Sequence, residues 1–187
     1  MRQTILRFFL FGLAAAVLPA FPALAETAPQ PSADFEGNWD IEGGGPVKLH
    51  YSAALNIMRM EMSGPEGQAI MLKNFETGEA FNWSPDDPSL VMRMQGERGI
   101  DRTADPTGET KTIEGEKCAV WRAPEGDVCF TPDGIWLETR GPGNNSTVTS
   151  LKRMPQDQTL FKPPAGAQIM DMPQGMGPPG GTGSGPR

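Results

Sequence analysis

Between residues 35 and 170 the chain alternates apolar and polar positions with a period of two, and Gly, Pro and Asp break the alternation at short intervals. Val47, Leu49 and Tyr51 alternate with Lys48, His50 and Ser52; Ile135 and Leu137 alternate with Trp136 and Glu138. The same pattern predicts further strands near residues 38–42, 55–63, 67–73, 79–83, 89–95, 117–122, 127–131 and 146–153. No part of this region sustains a 3.6-residue period. The domain is therefore expected to be mainly β, an antiparallel meander curled into an open or closed barrel, with few or short helices. Pro132-Asp133-Gly134 and Ala123-Pro124-Glu125-Gly126 carry the turn chemistry for two tight hairpins.

Within the alternation one residue type recurs. Met58, Met60 and Met62 occupy every second position of LNIMRMEMSG, and Met92 and Met94 repeat the spacing after Leu90, with Arg93 and Gln95 facing water. Residues i, i+2 and i+4 of a strand share a face, so three readings stand side by side. The methionines are ordinary core. Alternatively, because Met is unbranched and polarisable, Met58, Met60, Met62, Leu90, Met92 and Met94 line an adaptable groove for a lipid, acyl chain or other apolar ligand. The third is Cu(I) binding, since thioethers select that ion; Met170, Met172 and Met176 near the C-terminus suit it better than the strand methionines.

The ends of the chain alter the setting rather than the fold. MRQTILRFFLFGLAAAVLPAFPALA, residues 1–25, has two arginines, an apolar run and small residues at Ala23 and Ala25, the make-up of a secretory signal peptide cleaved before Glu26. The expectation is an exported, periplasmic protein with no transmembrane span in its mature form. Residues 26–34 read as a flexible linker, 35–170 as one β-rich domain, and 171–187, nearly all Gly, Pro and small polar types, as a disordered tail. Cleavage would remove two of the 16 basic and none of the 23 acidic residues, leaving a net charge of -9. Such a chain repels nucleic acid, and no basic cluster exceeds Lys152-Arg153. In an oxidising compartment Cys118 and Cys129, the two cysteines, are most simply a disulfide on neighbouring strands.

IEGEKCAVWRAPEGDVCFTPDGIWLETR and the later TLFKPPAGAQIM resemble an exported bacterial family of unknown function similar to the LolA/LolB-like periplasmic fold. The resemblance rests on Gly115, Cys118, Trp121, then Cys129, Thr131, Asp133 and Gly134 of a C-x-T-x-D-G run, and on Leu160, Phe161, Pro163, Pro164 and Gly166. It implies a strongly curved, half-open antiparallel sheet with an apolar concave face that holds lipoprotein acyl chains or other lipids, closed by helices. No amphipathic helix that could serve as such a lid is readable in the sequence.

Catalytic chemistry finds no foothold. One histidine, His50, expected on the exposed side of its strand, supports neither a Ser-His-Asp set nor a zinc cluster. Asp86-Asp87 reads as a turn, and Glu97 and Asp101 as solvated partners of Arg98 and Arg102. Asn144 and Asn145 satisfy the N-x-S/T pattern of a surface loop. The expectation is a non-enzymatic protein without a cofactor or resident metal. Trp136, opposite in phase to Ile135 and Leu137, lines a second buried surface or anchors another envelope protein, which leaves a protein-protein interaction module as the alternative to the lipid groove.

Overall fold

The computed structural model describes residues 27–65, 67–96, 98–99, 103–143 and 145–172. The expected signal peptide, residues 1–25, lies outside the described residues, as do Met176, Glu97, Asp101, Arg102, Asn144 and the tail beyond Met172.

The described residues form twelve strands: β1 Phe35–Ile41, β2 Gly45–Ser52, β3 Ile57–Gly64, β4 Gly67–Asn74, β5 Glu79–Ser84, β6 Asp87–Gln95, β7 Asp105–Ile113, β8 Glu116–Ala123, β9 Gly126–Phe130, β10 Trp136–Arg140, β11 Ser146–Arg153 and β12 Gln168–Asp171. One sheet holds them all, in the order β12-β6-β5-β4-β3-β2-β1-β11-β10-β9-β8-β7. Two meanders, β1 to β6 and β7 to β11, join where β11 pairs with β1. The sheet does not close: β7 and β12 are its edges. Every pairing is antiparallel but the last, β12 on β6, which is parallel. Among the described residues the helical content is one 3-10 turn, Gln158–Phe161, capped by the Asp157 side chain. No helix among them is long and apolar enough to cross a membrane.

Two strands were not readable from the alternation. In β7, DPTGETKTI, eight of the nine positions are polar, Pro or Gly, because this edge strand buries little. β12 is four exposed residues long and gains its place from the β6 ladder alone.

The main core gathers Phe35 and Trp39 of β1, Val47, Leu49 and Tyr51 of β2 and Met58 of β3 with Val120, Cys129, Leu137 and Val148 from the other meander. Contacts between strands this far apart in the sheet require it to curl. Phe35 stacks on Tyr51 at 5.5 Å and Trp39 lies 5.5 Å from Trp136.

The back of the sheet is also covered. After β11 the chain crosses it: Met154 N donates to Asp34 O, Gln156 meets His50, Arg59 donates to Leu160 O, and Phe161 is buried. Ala167 then packs on Ile70, Leu72, Trp83 and Val91. This strap corrects the expectation for His50. It lies on the polar side of β2, as the alternation requires, but only 5% exposed, with Nδ1 2.9 Å from the Gln156 amide oxygen.

Residues 27–34, expected as a flexible linker, are packed as well. Thr27 bridges Thr103, Ala28 and Pro31 are buried, and Ser32 N donates to Asp133 O. The C-terminal boundary also moves, because Asp171 belongs to β12 and Met172 N donates to Arg93 O.

The cysteine pair forms a disulfide within the β8–β9 hairpin, with Cα atoms 5.4 Å apart. The two are not equidistant from the turn: Cys129 opposes Val120, so the bridge runs diagonally across the ladder. The C-x-T-x-D-G run is a clasp. Thr131, fully buried, donates to Asp133 and accepts from Ile135 N, while Asp133 receives two hydrogen bonds from Arg153. Gly134 has a φ of +83°, and a Cβ there would meet Gln30 O at 2.1 Å. Only glycine fits this turn under the N-terminal segment.

Candidate functional site

The antiparallel register fixes which side chains of β2 to β6 share a face. Tyr51, Leu49 and Val47 oppose Met58, Met60 and Met62. These in turn oppose Lys73, Met71 and Ala69. Lys73 and Met71 oppose Ala80 and Asn82, which oppose Met94 and Met92. Across the parallel edge Met92 pairs with Met170 and Leu90 with Gln168. Residues directly opposite one another project to the same side of a sheet, so one face carries Met58, Met60, Met62, Met71, Leu90, Met92, Met94 and Met170. The ladder continues one residue past β12, and Met172 lines the same groove as Met92 and Met94.

The opposite face of these strands has a different composition. Ile57, Ile70, Leu72, Phe81, Trp83 and Val91 lie there, and most join the second core under the strap. Arg59 also lies on that side, held by Glu61 at 2.7 Å and set over the Trp83 ring at 5.7 Å. Within β3 to β6 the methionines thus all fall on one side, while the large aliphatic and aromatic residues other than Leu90 fall on the strapped side.

The methionine face grades from closed to open. Met58 is 3% exposed and belongs to the main core. Met60 and Met62 are half-buried against that core. Met92 and Met94 are half-buried with no core above them, while Leu90 is 40% and Met170 45% exposed. A groove of about 560 Å³ lies at this open end. Ala69, Leu90, Met92, Met94 and Met172 line it, together with the polar side chains of Asn82, Ser84 and Asp87. A volume of this size lies within the range of small-molecule sites.

The six residues expected to form a groove therefore share one face but not one environment. Met58 is core, Met60 and Met62 are its margin, and Leu90, Met92 and Met94 are the open groove. Met71, Met170 and Met172 complete the face. Met71 was hidden because Ile70 and Leu72 flank it, so the alternation offers no contrast in polarity. Met170 and Met172 needed the β12 pairing, which no local pattern announces.

Trp136 takes the first of its two expected settings. Its ring packs against Phe35 and Trp39, and its carbonyl accepts from Trp39 Nε1. It is a bridge between two apolar clusters rather than an anchor presented to solvent. Asp86 lies in the β5–β6 turn, its N donating to Ser84 Oγ, and Asp87 opens β6 opposite Ser84. Among the described residues no three of His, Cys, Asp and Glu stand together as metal ligands.

Charge on the molecule is spent on structure. Arg153 bonds to Asp133 and Glu116, and its hydrogen bond holds the Asp133 carboxyl below the ordinary carboxylate range. Burial pushes the Glu138 carboxyl up, but hydrogen bonds from Lys111 and Arg140 outweigh it and the net shift is downward.

No protein-family model matches the chain, and no curated protein does. Solved structures do. An uncharacterized conserved protein from Thermus thermophilus superposes with a TM-score of 0.56 at 11% identity, over 75% of this chain and 91% of that one. PNGF-II superposes with a TM-score of 0.53 at 16% identity, over 75% of this chain and only 32% of PNGF-II. At these identities the likeness is one of fold alone.

Proposed function

We propose that this is an exported, periplasmic, non-enzymatic protein whose methionine face binds an apolar ligand, a lipid or acyl chain. The observation that carries the reading is the sorting of side chains in β3 to β6. Both faces are apolar, but Met, a weaker strand former than Ile or Val, is confined to the open one. A closed core gains from β-branched residues that lock into one packing. A surface that must follow hydrocarbon chains of varied shape gains from flexible, polarisable ones. The open groove at Leu90, Met92 and Met94 is where that adaptability is accessible. The disulfide is compatible with export, because such bonds persist in oxidising compartments. The expected resemblance to the LolA/LolB-like fold belongs to this same reading.

A charge placed in the open groove tests it. Met92→Glu should leave a β-rich circular dichroism spectrum and abolish binding of a lipid-mimicking fluorescent probe, because the charge would have to be desolvated under the ligand. Unchanged probe binding would end the proposal. A second reading, an envelope protein docking on the β12 edge, is favoured by the exposure of Ile169 at 48% beside Met170 and Leu90. Lipid recovered from the purified protein by organic extraction supports the first reading, and a lipid-free protein retained on an envelope partner supports the second.

A further inference from the structure

We infer that the open edge of the methionine face is a Cu(I) site built from Met92, Met94, Met170 and Met172. The inference is independent of the apolar-ligand reading, since it depends on sulfur rather than on apolarity. Met92 and Met170 are directly paired on parallel strands, and the Met172 N to Arg93 O bond of 2.9 Å carries the ladder on so that Met172 falls beside Met94. Neighbouring strands lie about 4.8 Å apart and alternate residues of one strand about 6.6 Å apart. The four side chains thus rise from the corners of a patch roughly 5 by 7 Å. Each has three rotatable bonds to bring its sulfur inward.

Thioethers are soft ligands that select Cu(I) over the harder divalent ions. The carboxylates that adjoin the patch, Asp87 in the groove and Glu79 and Asp171 beside Met94 and Met172, are hard ligands that suit other ions. Glu79, Arg93 and Asp171 fall on the opposite side by register, where Arg93 pairs with Asp171 at 2.6 Å. By register, the neutral amides of Asn82, opposite Met92, and Gln168, opposite Leu90, lie on the sulfur side. Nor are these four methionines needed as core. Three are half-buried, and Met170 is 45% exposed. The aliphatic residues of this edge, Val91 and Ile169, pair with each other on the other face, so sulfur is what the four positions share.

The test is an anaerobic titration of purified protein with Cu(I) against a chromophoric Cu(I) chelator. The unsubstituted protein and an M58L/M60L/M62L variant are expected to withdraw one equivalent. The M92L/M94L/M170L/M172L variant is expected to lose that step entirely while keeping the β-rich circular dichroism spectrum of the parent. The smaller M170L/M172L variant, altered only at the exposed edge, is expected to weaken it. X-ray absorption of the copper-loaded unsubstituted protein is expected to show sulfur alone in the first coordination sphere. An unsubstituted protein that withdraws no copper, a fourfold variant that withdraws it as well as the parent, or a nitrogen or oxygen shell would each overturn the site. Circular dichroism of the same samples reports the fold separately.

Discussion

At the scale of single residues the least forgiving position is Gly134. Its positive φ and the 2.1 Å approach of Gln30 O combine two penalties for any side chain. Gly134→Ala should cost about 2 kcal/mol or more in denaturant unfolding, and an unchanged midpoint would show that the N-terminal segment does not pack on this turn. Asp133, its neighbour, sets a pH dependence. Because the folded carboxyl titrates below the unfolded one, its contribution is present above the unfolded pKa, near 4, and is lost as pH falls through the folded value. The gap in stability between the parent and Asp133→Asn should therefore be widest near neutral pH and shrink below about pH 4. A gap that stays constant down to about pH 2 would remove the Arg153 pairing from the account.

At the scale of elements, the β8–β9 hairpin and the strap carry the predictions. Replacing Cys118 and Cys129 together by Ser should lower stability by roughly 2 to 4 kcal/mol in the chain-entropy view of a short closed loop, with probe binding nearly intact. Phe161, the buried residue of the strap, should cost about 3 kcal/mol or more when cut to Ala. A fall in stability with Phe161→Ala but no greater solvent access to His50 would separate the two ends of the strap. Most strands could be read from the sequence because one side of each faces a core, and the alternation of Val47, Leu49 and Tyr51 with Lys48 and Ser52 records that. The strap left no such record. Residues 154–167 have no period, and the burial of His50 depends on a segment more than a hundred positions away. Met71 sits among Ile70 and Leu72 because both faces of β4 are apolar, so the composition of each face became visible only with the register.

At the scale of the whole molecule, one unclosed sheet buries its back under a strap and half of its front in a core, leaving the rest of the front as an open methionine surface. That division makes two chemically identical substitutions behave differently. Met58 lies in the closed half, where an added carboxylate would be buried without a partner, so Met58→Glu should unfold the protein. Met92 lies in the open half, where the carboxylate reaches water when no ligand is bound. Met→Leu at either position conserves volume and apolarity and should change stability by less than about 1.5 kcal/mol. The most direct measurement is therefore lipid-probe fluorescence of the parent and of Met92→Glu, each verified as folded by circular dichroism. The account predicts saturable binding by the parent and none by Met92→Glu, with both proteins β-rich; a folded Met92→Glu that binds as the parent does, or a parent that binds no probe, would contradict it.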